Sequence, residues 1–302
     1  MSRTYEENIN QWKESFKYLA KAPRPGVLPS PPDPRDYSVD DMPVASLRTP
    51  PQHFLPESPF VLDQKNTGYC AGASGAGIGN SYYHYFNMLP QQGFSMTFLY
   101  WLAKEYDGIP HLEGTYIRTI LKIMHKYGMA SEQLAPFSLN RINISGAALR
   151  EAEHYKIEAY SRLRTWGEMQ KALAKGLYII IGTLVTRNNW NRPGGFLSYP
   201  SGALYGGHAT FNFGYDNFLS HAHNGYFYCQ NSWGSYWGDK GKFYLPYDYL
   251  RMTYEGRPVF LEAWAVKFFD IQREESLTEK EQIKKNILER IDDVQRRQDR
   301  RK

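Results

Sequence analysis

Long apolar runs, disulfide-forming cysteines and a strong charge of either sign are all missing from this chain of 302 residues. No stretch approaches the roughly 20 apolar residues that a membrane-crossing helix needs, so no membrane partner is expected. Two cysteines cannot build the several-bridge framework of a small secreted protein. The formal charge of +5 is small for the length and gathers at the extreme C-terminus. A nucleic-acid partner therefore gains little support. Residues 1–21 are polar and charged, with neither an apolar core nor a small-residue cleavage site. The expected location is cytoplasmic, with signal-less export or release in a phage particle as other routes. His221 and His223 lack the further ligands that would complete a zinc site, and Cys229 reads as a core residue. No metal and no cofactor are expected.

What is present is a globular composition. Hydrophobic residues make up 42% and aromatics 16%, enough for a real core and too many for a disordered chain. Ile9, Trp12, Phe16 and Leu19 have helical spacing within residues 1–22, and the proline-rich stretch Pro23 to Pro56 reads as extended chain. A glycine-rich helix is expected from Cys70 to about Asn87. Each of its glycines costs about 1 kcal/mol relative to alanine, which makes sense only for a buried helix needing close backbone approach. Further helices are expected at Thr115 to Tyr127 and Glu168 to Lys175. Strands are expected at Leu177 to Val185, Ala209 to Tyr215, Tyr226 to Gln230, Gly241 to Leu245 and Leu261 to Phe269. Helices first and strands later indicate an α+β fold.

The tail from Ser276 to Lys302 carries a thin apolar stripe of Ile283, Ile287, Ile291 and Val294 on a charged helix. It is too narrow to fold alone, so residues 276–302 are expected to dock on the protein itself or on a partner. The expected organisation is an N-terminal extension at 1–31, a main domain at 32–272 and a helix at 273–302.

The chemistry gathers on three residues. Cys70, His208 and Asn231 supply a thiol, an imidazole and an amide in that chain order. A helix N-terminus and a neighbouring imidazolium both favour a thiolate. His208 would hold the proton and pass it to a leaving group, while Asn231 would orient the ring. Gln64 and the backbone N–H of Cys70 could stabilise an oxyanion. Singly, each has a plain structural explanation; together and in this order they point to acyl transfer.

These residues sit in Asp63-Gln64, Gly68-Tyr69-Cys70, Gly206-Gly207-His208-Ala209 and Asn231-Ser232-Trp233-Gly234, followed by Trp237-Gly238 and Gly241. In these blocks the sequence resembles the papain-like cysteine peptidases, over about Pro32 to Phe269. The resemblance implies a two-domain fold, a helical half and a β-barrel-like half with the active-site cleft between. It implies Cys70 as nucleophile, His208 as base and acid, Asn231 as orienter and Gln64 as oxyanion donor, with Trp233 covering the His–Asn bond. Gly114 and Thr115, in Glu113-Gly114-Thr115, resemble the strand that binds substrate backbone, and Gly207 is a further candidate substrate contact. Peptide or protein would be the substrate.

The sequence departs from the family in Tyr69 and Ala71 around the nucleophile, in a missing upstream cysteine and in the lack of a long propeptide. The N-terminal helix is one device expected to hold activity down. The other reading of the chain is a catalytically weak or inactive docking component of a larger assembly, attached through its C-terminal helix.

Overall fold

The computed structural model of this protein describes residues 26–34, 36, 49–190, 193–221 and 223–271. The helices expected at 1–22 and 276–302 lie outside the described residues. By internal packing the chain divides into a unit Met1–Phe268 and a second unit Phe269–Lys302.

The first unit opens with two short strands, β1 (Val27–Leu28) and β2 (Gln52–Phe54). Helices α1 (Cys70–Tyr85) and α2 (Met96–Asp107) follow, then strand β3 (Thr115–Tyr116), which leads directly into α3 (Ile117–Lys126). The helix expected from Thr115 thus begins two residues later. Thr115 and Tyr116 are extended because β1 pairs with them in parallel, a nonlocal contact that no local periodicity reveals. Helix α2 lacks a place in the sequence reading, although Ser95 caps its start by accepting the N–H of Phe98 and Gly108 ends it in a left-handed conformation. A short α4 (Gly146–Ala152) completes the helical half.

The second half is an antiparallel sheet. Its strands are β4 (Ile157–Leu163), β5 (Tyr178–Thr186), β6 (Leu204–Ser220), β7 (Asn224–Gln230) and β8 (Lys242–Pro246), with β11 (Phe260–Phe268) after a small hairpin of β9 (Thr253–Tyr254) and β10 (Arg257–Pro258). The spatial order is β4-β11-β5-β6-β7-β8, and β2 pairs with β6 from off that path. Helix α5 (Trp166–Ala174) packs its Met169 and Leu173 into the sheet core with Ile179, Ile181 and Ala263, all fully buried. Each of the four larger side chains contributes about 1.5–3 kcal/mol on leaving water. The architecture is α+β, a helical half and a sheet half, as the sequence indicates.

The glycines of α1 decide how closely the two halves meet. A Cβ at Gly77 would stand 2.5 Å from the ring of Phe211 on β6, and one at Gly72 would stand 2.6 Å from the carbonyl oxygen of Met96. Side chains there would push α1 away from both neighbours. The helix is almost wholly buried in consequence, and its first residue is held against β6.

Candidate active site

Cys70 is the first residue of α1, where helical N–H groups have no partner within the helix. Tyr69 caps without a side-chain bond, which leaves those groups free to serve the sulfur. The backbones of Ala71 and Cys70 itself hydrogen-bond to the thiol, as do those of Ala209, the residue after His208, and Gly26. Burial nevertheless dominates. The thiol is 0% exposed, and loss of solvation pushes its pKa up to about 11 against those hydrogen bonds.

His208 projects from β6 and is likewise wholly buried. Its Nε2 lies 2.7 Å from Oδ1 of Asn231. The same Oδ1 accepts the backbone N–H of Ser232 at 2.7 Å, and an N–H can only donate. The atom is therefore an oxygen, Nε2 carries the ring proton, and Nδ1 is a bare acceptor. Nδ1 is buried without a hydrogen-bond partner. Desolvation lowers the ring pKa to about 4, while the bond to Asn231 works the other way.

Burial disfavours the charged form of both groups in this closed arrangement.

Aromatic rings seal the pair. Trp233 stacks on His208 with centroids 4.6 Å apart and planes 29° apart. Trp190 meets the same ring edge-on at 5.5 Å, a contact that no local signal in the sequence announces. Gln64, fully buried, donates through Nε2 to the carbonyl of Thr67 at 2.6 Å and accepts the Ser232 hydroxyl at 2.6 Å. Ser232 thereby orients both Gln64 and Asn231, a role absent from the sequence reading. Gly207 pairs with Leu184 of β5 as His208 pairs with Thr183. Gly114 spends its backbone internally: its N–H donates to the Tyr100 hydroxyl at 3.1 Å and its carbonyl accepts the Lys104 ammonium at 2.7 Å. Thr115 supplies the N–H that holds a neighbouring chain.

That neighbour is the protein's own N-terminal segment. The carbonyl of Gly26 accepts the N–H of Thr115 at 2.9 Å, and β1 continues along β3 in parallel register, Val27 to Thr115 and Leu28 to Tyr116. The backbone of Gly26 meets the Cys70 sulfur. Three backbones crowd together at this point, since a Cβ on Gly26 would lie 2.1 Å from the carbonyl oxygen of Gly68 and one on Gly114 would lie 2.3 Å from that of Gly26. Downstream, Ser30 bonds to Glu262, and Asp36 pairs with Arg118 at 2.5 Å and with Arg162 at 3.6 Å. Residues 26–30 therefore form a strap over the sulfur. The occluding element within the described residues is this extended strap.

Lys104 is a buried ammonium whose pKa falls to about 8 through desolvation, with Asp107 and Glu113 opposing the shift. Asp107 in turn accepts the hydroxyls of Thr115 at 2.7 Å and Thr119 at 2.6 Å, so α2 clamps the strand beneath the strap. Lys104→Met is expected to lower stability by about 1–3 kcal/mol, because the Gly114 carbonyl is left unpaired. Lys104 should also add stability between about pH 8 and 10.5, where the unfolded chain binds the proton that the folded one has lost. Thermal melts across that range should show the difference between wild type and variant widening.

Among the described residues no His, Cys, Asp and Glu cluster could hold a metal ion, and no helix is long and apolar enough to cross a membrane. Known proteins share the family and the fold. Residues 100–253, just over half of the chain, match the papain family cysteine protease model, a span that includes His208 and Asn231 but begins after Cys70. An uncharacterized peptidase C1-like protein of Acanthamoeba polyphaga mimivirus is 25% identical over 218 residues, 65% of this chain and 67% of that one. Xylellain, a cysteine protease from Xylella fastidiosa, superposes with a TM-score of 0.71 at 26% identity, over 83% of this chain and 98% of that one. Bromelain from Ananas comosus, solved with the E64 inhibitor, shares the fold at a TM-score of 0.56 and 19% identity, over 72% and 99% of the two chains. The family model covers more than half of the chain, and the chain belongs to the papain family of cysteine proteases.

Proposed function

We propose that the protein hydrolyses peptide bonds through an acyl-enzyme on Cys70, and that the strapped form is its latent state. The observation that carries this reading is the bare, buried Nδ1 of His208, fixed by the Nε2–Asn231 bond, in a residue whose neighbour Ala209 touches the Cys70 sulfur. Nδ1 is the atom that can take the thiol proton. In the reaction the sulfur forms a bond to the substrate carbonyl carbon as the proton passes to His208. The oxyanion meets the backbone N–H of Cys70 and the side-chain amide of Gln64. The C–N bond then breaks with the proton delivered to the leaving amine, and water, deprotonated by His208, hydrolyses the thioester.

Zero exposure of Cys70 and His208 favours a second reading, a non-catalytic docking component. The strap contributes to that burial at Cys70, where the Gly26 backbone meets the sulfur, and it occupies the strand edge that a substrate would use. The two readings part on Cys70→Ala. With the strap lifted by Gly26→Ala, a peptide library and a thiol-directed epoxide should be turned over and bound, respectively, and neither once Cys70→Ala is added. Hydrolysis that persists without Cys70 would remove it from the mechanism, and a chain that stays unreactive with its strap lifted would favour docking.

A further inference from the structure

Asn189 is a buried amide in the loop between β5 and β6, one residue before the tryptophan that meets His208 edge-on. Its side chain is tied to three separate places. Oδ1 accepts the hydroxyl of Thr186 at the end of β5. Nδ2 donates to the Tyr249 hydroxyl at 2.5 Å, in the turn Tyr247–Arg251, and to the Ser198 carbonyl at 3.4 Å. Thr186 and Tyr249 are fully buried too, and the Thr186 hydroxyl accepts the N–H of Ser201 on the returning arm of the loop. A polar hub satisfied in this way fixes one arrangement of its neighbours.

Trp190 is thereby held on both sides. Its carbonyl accepts the indole N–H of Trp237 at 3.0 Å. Its ring is buried against Phe243, Trp233 and Trp237, with centroids 5.1, 5.5 and 5.9 Å away, and reaches His208 at 5.5 Å. The acyl-enzyme chemistry at Cys70 calls on neither residue.

We propose that Asn189 and Trp190 are positioning residues for His208, Asn189 locking in place the indole that keeps water from the imidazole. Its bearing on catalysis rests on the peptidase reading above. A ring kept dry stays unprotonated, so Nδ1 remains able to take the thiol proton in mildly acidic solution. Few groups face this ring. Asn231 holds Nε2, Trp233 stacks on the ring, and α1 brings the Cys70 thiol against the backbone of Ala209. The remaining titratable group is the Tyr249 hydroxyl, behind Trp190 on Asn189. Among the described residues no charged side chain acts on His208, and burial outweighs the bond to Asn231. Removing the indole therefore admits water without disturbing an ion pair.

The test follows the His208 ring C–H resonances of the full chain by NMR across pH 3.5–8, with His208→Gln to assign them. The wild-type midpoint is expected at about pH 4. Trp190→Ala and Asn189→Ala should each raise it to about 5 or above, at least a tenfold gain in proton affinity. Together they should do no more than Trp190→Ala alone, because one acts through the other. Trp190→Phe retains a ring and should keep most of the low midpoint. Tyr249→Phe removes a single hydroxyl from the hub and should raise the midpoint in the same direction, which keeps the test available if Asn189→Ala does not fold. Leu121→Ala, a core change in α3, should lower the melting temperature and leave the midpoint where it is. A midpoint unmoved by Trp190→Ala, additive effects of Asn189 and Trp190, or an equal shift in Leu121→Ala would overturn the proposal. Failure of the peptidase reading looks different: the midpoints move as expected, yet the Gly26→Ala chain hydrolyses no peptide.

Discussion

Gly26→Ala is expected to raise the rate at which iodoacetamide alkylates Cys70 by about 10- to 100-fold, the equivalent of the roughly 1–3 kcal/mol that overpacking a close contact costs. The added methyl would lie 2.1 Å from the carbonyl oxygen of Gly68, an atom fixed in the backbone just before α1. No rotamer relieves that overlap, so the strap must lift. Cys229 supplies an internal control. It is equally buried, in the sheet core, and should stay unmodified if only the strap has moved. Equal labelling of both cysteines would mean unfolding, and an unchanged Cys70 rate would mean that the strap does not guard the sulfur.

Proton linkage gives the closed form a pH window. His208 has a lowered pKa, about 4 against 6.5, so the closed form binds fewer protons than the opened one in between. Its contribution is complete above about pH 6.5 and is lost as the pH falls towards 4. Cys70 has a raised pKa, about 11 against 9.0, so its contribution holds below pH 9 and is lost as the pH rises towards 11. The strap is most secure between those limits, and acid loosens it by protonating the histidine beneath.

His208→Ala, placed in the Gly26→Ala chain so that the site is open, is expected to cut peptide hydrolysis by about 1,000-fold, within the range for loss of a general acid–base residue. The same change should move the pH profile of alkylation. With the strap lifted, water can solvate both groups, and a histidine that holds the proton lowers the pKa of the neighbouring thiol. Alkylation of the opened chain should therefore begin well below pH 9, and removal of His208 should return it to the range of an ordinary thiol. A profile unmoved by His208→Ala would show that the ring does not act on Cys70, whatever the hydrolysis rate.

The candidate residues Cys70, His208 and Asn231 stood out because the chemistry restricts their types. A nucleophilic sulfur, a titratable ring and an orienting amide are few in this chain, and the tryptophan–glycine pattern after Asn231 is unusual enough to mark its block. The glycine-rich helix at Cys70 was also readable, since so many glycines in a helix need a reason and close packing is the commonest. By contrast, Trp190 and Ser232 reach the site through contacts across the sheet and carry no local pattern. Lys104 is similar: in the sequence it is one more charged residue on a helix, and only its 2.7 Å bond to Gly114 gives it a task.

Sequence alone determined the α+β class of this protein and the order of its main strands, and singled out Cys70, His208 and Asn231 as candidates, because residue type and short-range periodicity encode those directly. The tertiary structure decided how far the site is desolvated and what covers it. Both depend on which distant backbone excludes water from the sulfur, and solvation is a property of the assembled surroundings rather than of any stretch of chain. Gly26 shows the difference: by itself it is a glycine in a proline-rich lead-in, and folded it is the residue that sits on Cys70.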